Sequence, residues 1–195
     1  MNNKKAIDDP DVDLMRKFQN GDISAFERLV RKYQRPLINF AYRFLHDQNE
    51  AEDLTQEIFL RIYSSAKKYR PTAKFSTWIY RIATNLCLNE LRRTRNRAQD
   101  SLETGGMEEE PINLPDRSIQ SPFEAVVEVE RGRVIRKAID DLPPRQKTAV
   151  ILSKYQGFSY KEVADIMQCS EGAVKSYLHR ARESLLKTCR EVLEK

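Results

Sequence analysis

Apolar residues recur at three- and four-residue spacing along most of the chain, and strict alternation is scarce, which predicts an all-α protein. One stripe is formed by Phe26, Leu29, Val30, Tyr33, Leu37, Phe40, Ala41 and Phe44. Its helix is expected to open at a Ser24-x-x-Glu27 capping box, with Ser24 accepting from the free amides of the first turn. Pro36 lies inside the stripe and predicts a kink or a split there. A second helix is expected over about residues 50–64, with Leu54, Ile58, Phe59 and Ile62 inward. A third is expected over about 76–95, with Trp78, Ile79, Ile82, Ala83, Leu86 and Leu91 as its core side.

The pattern then stops. Residues 98–124 contain Gly105-Gly106, the run Glu108-Glu109-Glu110, and Pro111, Pro115 and Pro122. Such a composition buries too little apolar surface to offset the entropy of ordering, so it reads as a linker between two small helical domains at 1–97 and 125–195. Beyond it, VVEVERGRVIRKAIDDL is amphipathic at helical spacing. Pro143-Pro144 restarts the chain into RQKTAVILSKYQ, and Gly157 suits a left-handed helix stop.

Charge follows the same division. Residues 1–98 carry net +7, residues 99–130 net −8 and residues 131–195 net +6, within an overall +5. Two basic blocks thus flank an acidic one. Basic surface gathers polyanions by releasing counterions, whereas an acidic strip is repelled by a phosphate backbone. The three cysteines, Cys87, Cys169 and Cys189, are too scattered for a disulfide framework, and the two histidines give no zinc spacing. No run of eighteen apolar residues occurs and MNNKKAIDDPDVD has no apolar core, so the chain reads as a reduced, cytoplasmic protein.

The C-terminal block has the layout of a helix-turn-helix. Ser159-x-x-Glu162 is a second capping box opening YKEVADIM, Gln168-Cys169-Ser170 is a three-residue turn, and Ser170 can cap the next helix. Small Ala164 suits the point where the two helices meet. Val174, Tyr177 or Leu178, Ala181 and Leu185 face inward, leaving Lys175, Ser176, His179, Arg180 and Arg182 on the other side. Those side chains can donate to base edges or phosphates in a major groove.

In the N-terminal block, KKYRPTAKFSTWIYRIATNLCLNELRRTRNR holds nine Lys/Arg against one acid, Glu90. Tyr69, Phe75, Trp78 and Tyr80 are interleaved with the cations, a composition that suits unstacked bases, although Trp78 and at least one tyrosine also fit a core. Asn85 and Asn89 stand one turn apart in line with Arg81 and Arg92, and an amide can both donate to and accept from a base edge. The preceding helix is different. Glu52, Asp53, Gln56 and Glu57 give it an acidic face, either solvated or protein-binding.

Taken in order, EAEDLTQEIFLRIY, KFSTWIYRIATNLCLNELRR, the acidic linker and DLPPRQKTAVILSKYQGFSYKEVADIMQCSEGAVKSYLHRARESL resemble the extracytoplasmic-function group of bacterial sigma factors. The resemblance covers about residues 20–95 and 125–190. It implies two helical domains that bind core RNA polymerase and guide it to promoters. Asp53, Gln56 and Glu57 would contact the polymerase clamp. Lys74, Arg81, Asn85, Asn89, Arg92 and Arg93 would melt and read the −10 DNA, with Asn85 near the captured base. Lys175, Ser176, His179 and Arg180 would read the −35 duplex, and the linker would thread toward the RNA path. An anti-sigma partner is implied as well. Lysine stands at 175 where the group often has arginine, so that position lacks a bidentate fork.

Two other classes compete on residues alone. In one, a transcriptional activator reads DNA only with the helix-turn-helix while its first block senses or dimerises. In the other, a processing enzyme uses Glu52, Asp53 and Glu57 with Mg²⁺, but these sit on one helix with no carboxylate from elsewhere. No catalytic triad, metal motif, phosphate loop or cofactor signature appears, so no enzymatic activity, metal or cofactor is expected.

Overall fold

The computed structural model describes residues 8–100 and 132–193, and all regular elements among them are helical. Helix α1 spans Pro10–Gln19, where the apolar pattern predicts no helix. Its signal is a compact one: Asp9 caps it by accepting from Asp11 N, Pro10 stands in its first turn, and Val12, Met15 and Phe18 are buried. Asp11 anchors it to the next helix, accepting from Lys32 Nζ at 2.7 Å and from the Tyr33 hydroxyl at 2.6 Å.

Helix α2 runs unbroken over Ile23–Leu45 and corrects two expectations. Its N-cap is Asp22, which accepts from Ala25 N, while Ser24 donates its hydroxyl to Asp22 at 2.6 Å. The carboxylate, a stronger acceptor than a hydroxyl, starts the helix ahead of Ser24. Pro36 does not split the helix. Proline withdraws the hydrogen bond to the carbonyl four residues earlier, at Lys32, and both positions lie on the wet face. Water can serve that carbonyl, while Tyr33, Leu37 and Phe40 are buried on the opposite side.

Helix α3 spans Gln48–Ser65 and buries Leu54, Ile58 and Ile62 against α2. After a 3₁₀ turn at Ala66–Lys68, helix α4 spans Phe75–Asp100. The residue before it, Lys74, has no acceptor with which to cap it. Instead Asp9 reaches across, and its second carboxylate oxygen accepts from Phe75 N at 2.8 Å. Ala98–Asp100, expected in the linker, belong to α4. The rest of the proposed linker lies outside the described residues.

The described part of the second half opens with a helical stretch, α5, at 132–140. Helix α6 at Pro144–Val150 widens into a π-helical turn at Ile151–Tyr155, which ends before Gly157 at φ +72°. Helices α7, Tyr160–Met167, and α8, Glu171–Leu193, complete the fold. The two halves pack through a shared core. Ile151, Leu152, Val163, Ala164 and Ile166 join the cluster that contains Phe40, Ile79 and Tyr80. A smaller group of Leu142, Val150 and Ala181 closes α8 onto α6.

Candidate nucleic-acid interface

The α7–turn–α8 unit has the predicted local chemistry. Ser159 accepts from Glu162 N while Glu162 Oε2 accepts from Ser159 N at 3.0 Å, a complete capping box. Gln168 takes the left-handed conformation, φ +53°, and Ser170 Oγ accepts from Ala173 N at 3.1 Å to start α8. Ala164 is buried where the helices approach, and Val174 and Ala181 are buried beneath α8. Tyr177, Leu178 and Leu185 are half-buried together, so the choice between Tyr177 and Leu178 was a false one.

Lys175, Ser176, His179, Arg180 and Arg182 all face solvent. Ser176 spends its hydroxyl proton on the Gly172 carbonyl, leaving lone pairs outward, and His179 Nε2 lies 3.5 Å from Glu183. Lys175 and Arg180 have no ion pair among the described residues, so they remain available to an anionic groove.

On α4, Asn85, Asn89 and Arg92 are exposed along one face, as their spacing requires. Arg93 lies 3.8 Å from Glu90. Lys74 and Arg81 are engaged. Lys74 Nζ donates to Glu162 Oε1 at 2.9 Å, and Arg81 donates to the Asp165 carbonyl from Nε at 3.1 Å and Nη2 at 2.7 Å. The Lys74 ammonium holds the Glu162 carboxyl below its ordinary range.

The interleaved aromatics do not form a stacking platform. Tyr69, Phe75 and Tyr80 are buried, and half-buried Trp78 packs against Tyr69 and Phe75 with centroids 4.7 and 5.7 Å apart. The register of α4 turns Phe75 toward Tyr33 and Tyr80 toward Phe40 on α2, where burial of flat rings outweighs exposure.

On α3, Asp53, Gln56 and Glu57 are exposed, and Arg61 donates to Glu57 at 2.6 Å. Beside them the structure adds residues that the charge pattern missed. Leu60 and Tyr63 are 68% and 51% exposed, at the edge of a groove of about 500 Å³ between α2 and α3 floored by Phe26, Val30 and Phe59. The signal was in EIFLRIY, where four apolar residues in five positions cannot share one helical face. An exposed apolar strip with a polar rim is the anatomy of a protein-binding surface.

A third polar cluster joins the halves. Asp140 Oδ1 lies 2.9 Å from both His46 Nε2 and Lys147 Nζ, and Lys147 is almost fully buried. Burial raises the Asp140 carboxyl, but these two partners outweigh it and hold it below its ordinary range. A depressed carboxylate stabilises the fold above its unfolded-state range and loses that contribution as pH falls through the folded value. Stability against thermal unfolding is therefore expected to fall as pH drops through the acidic carboxylate range, with a shallower dependence in Asp140→Asn. An identical pH profile for the variant would remove Asp140 from that role.

An exposed basic helix-turn-helix thus shares the chain with a second helix that presents Asn85, Asn89 and Arg92 to solvent, a pairing whose donors and acceptors suit DNA. Comparison with known proteins narrows the class. Residues 29–97 match the family model for Sigma-70 region 2, and residues 132–185 match that for Sigma-70, region 4. The RNA polymerase sigma-H factor of Pseudomonas aeruginosa is 37% identical over 186 residues, covering 94% of this chain and 95% of that protein. The ECF RNA polymerase sigma factor SigW of Bacillus subtilis is 32% identical, covering 91% and 96%. Among solved structures, CnrH in complex with the cytosolic domain of CnrY matches at TM-score 0.68 and 20% identity, covering 93% of this chain and 97% of that one. The sigma factor RpoE in complex with the anti-sigma factor NepR from Bartonella quintana matches at 0.66 and 24%, covering 85% and 96%. These two share the fold. The chain belongs to the extracytoplasmic-function group of sigma factors. Among the described residues no helix is long and apolar enough to cross a membrane.

Proposed function

We propose that this chain binds core RNA polymerase through α3 and directs initiation by reading promoter DNA at two places. Asp53, Gln56 and Glu57 form the polar part of the polymerase contact, with the groove edge at Leu60 and Tyr63 as its apolar part. Lys175, Ser176, His179 and Arg180 read the −35 duplex. Asn85 and Asn89, with Arg92 and Arg93 beside them, Arg81 along the same helix and Lys74 just ahead of it, take the melted −10 strand. An anti-sigma protein is the third partner. The chain acts in the cytoplasm, where its polymerase is, and contributes specificity with no catalytic chemistry of its own.

The observation that carries this reading is the pairing of two exposed DNA-suited faces with an acidic and apolar helix that DNA would repel. An activator using only the helix-turn-helix has no need of α3 and α4 in this form. The test is reconstitution: this chain is mixed with core polymerase and a promoter library, and transcripts are sought that neither component makes alone. Absence of association with core polymerase would overturn the reading.

A finer test separates the two DNA faces. Arg180→Ala is expected to weaken duplex −35 binding by about 1–3 kcal/mol if its guanidinium reads a base. Asn85→Ala is expected to slow open-complex formation, followed by permanganate reactivity of the melted strand, with duplex binding nearly intact. Equal losses in both assays for both variants would contradict the division of labour.

A further inference from the structure

We infer that the cavity lined by α2, α5 and the π-helical turn is a binding site for a nucleoside diphosphate, held through its phosphates by Arg35, Arg43 and Arg136. None of these residues serves the surfaces assigned above to polymerase or DNA.

The cavity measures about 340 Å³, within the range of about 300–1,000 Å³ usual for small-molecule sites. Its charge is one-sided. Arg35 and Arg43 come from α2 and Arg136 from α5, and among the described residues none of the three guanidiniums has an ion pair or a hydrogen bond. The carboxylate in the lining, Asp140, does not answer them, because His46 and Lys147 engage it at 2.9 Å each. Burial pulls the Arg43 guanidinium below its ordinary range and the nearby Arg136 charge adds to that, while Tyr155 opposes it. A half-buried cation beside a second one is a strain on the fold that a bound anion relieves.

Arg43 is prepared for that anion. Its guanidinium lies over the Tyr155 ring, 3.7 Å from the centroid. Stacking uses the face of the guanidinium and fixes its plane, while the N–H groups along its edge stay free to fork onto phosphate oxygens. Arg35 and Arg136 are exposed, so their heads can reach the same phosphates from α2 and from α5. Three cations match the charge of a diphosphate better than that of a single phosphoryl group.

The rest of the wall differs in kind. Ile135, Ile139 and Ile151 supply apolar surface, and Tyr42 and Tyr155 supply rings. A flat base can lie on such a wall, and the Asn39 amide, one turn from Arg35 on the same face of α2, can pair with its edge. An inorganic anion would use the arginines and leave Ile135, 46% exposed, uncovered.

The test is titration of the full chain with ribose-labelled ADP and GDP, followed by fluorescence anisotropy. Saturable binding of at least one probe is expected, displaced by its unlabelled form and about tenfold less well by pyrophosphate or by the bare nucleoside. Arg43→Met and Arg136→Met should each weaken binding by about tenfold or more, the loss of one charge-assisted contact. Arg133→Met removes the same charge from α5 outside the cavity and should bind as the native chain does. The nucleotide should raise the melting temperature of the native chain and not that of Arg43→Met, with circular dichroism checking that both are folded. No saturable binding of either probe, or an equal loss in Arg133→Met, would overturn the site. Pyrophosphate competing as well as the nucleotide would overturn the nucleoside assignment, and so would a short single-stranded DNA that displaced the probe at lower concentration. All of these readouts omit polymerase and promoter, so failure of the sigma reading would appear separately, in the reconstitution.

Discussion

Leu60→Asp is expected to lower affinity for core polymerase by about 30-fold or more, the loss of one interface anchor worth about 2 kcal/mol or more. The position makes the result easy to interpret. Leu60 is 68% exposed on α3, so the fold gains little from it, and exposed helix substitutions usually change stability by about 0.5 kcal/mol or less. At the same time it edges the apolar groove floored by Phe26, Val30 and Phe59, so a carboxylate there places an unpaired charge against any apolar partner. Titration of labelled protein with core polymerase gives the affinity, and circular dichroism checks that helix content is unchanged. Assembly at native affinity would exclude the α3 groove from the polymerase interface.

The largest stability effect is expected at Phe40. Its ring is fully buried, set edge-on to Tyr80 at 5.2 Å and tilted against Phe44 at 5.1 Å. Phe40→Ala removes that ring and leaves a cavity, at a cost of about 3–5 kcal/mol. Domains of this kind are stable by only about 5–15 kcal/mol, so the variant should unfold at markedly lower denaturant. The effect should also reach across the molecule, because Tyr80 bonds Gln156 in the second half. The measurement is a denaturation midpoint for native and variant chains, with a separate probe in α8. A loss under about 1 kcal/mol would mean that the site collapses around the cavity.

The helices were legible because their apolar stripes are long. The α2 stripe from Leu29 to Phe44 and the capping box at Ser159 and Glu162 needed only periodicity and spacing to be found. Local competition was harder to read. Ser24 looked like a cap because Glu27 follows it at the right distance, yet the carboxylate of Asp22 takes the Ala25 amide. Pro36 looked disruptive because sequence does not say which carbonyl loses its donor or whether water reaches it. Helix α1 escaped notice because its apolar residues are few and spaced at intervals of three within a charged segment.

Asn85, Asn89, Arg92 and the α8 cations are exposed as their spacing predicts, since opposite faces of a helix separate by spacing alone. What sequence could not give was the company these residues keep. The contacts of Lys74 with Glu162 and of Arg81 with Asp165 join positions more than eighty residues apart. Aromatic side chains misled in the opposite direction. Tyr69, Phe75 and Tyr80 alternate with cations in the sequence, but α4 rotates Phe75 and Tyr80 into the core and Tyr69, ahead of the helix, packs on Phe75 and Trp78.

Asp9 is one carboxylate with two duties, capping α1 through Asp11 N and α4 through Phe75 N. In kinetic terms this makes the start of α4 conditional on a contact 66 residues away in sequence. Lys74 cannot supply the missing acceptor, so the first turn of α4 should remain frayed until α1 has docked. The order of assembly then matters: a chain whose first helix is late would present Asn85 and Asn89 on a helix whose start is not yet fixed, and the surface proposed to read DNA would mature last.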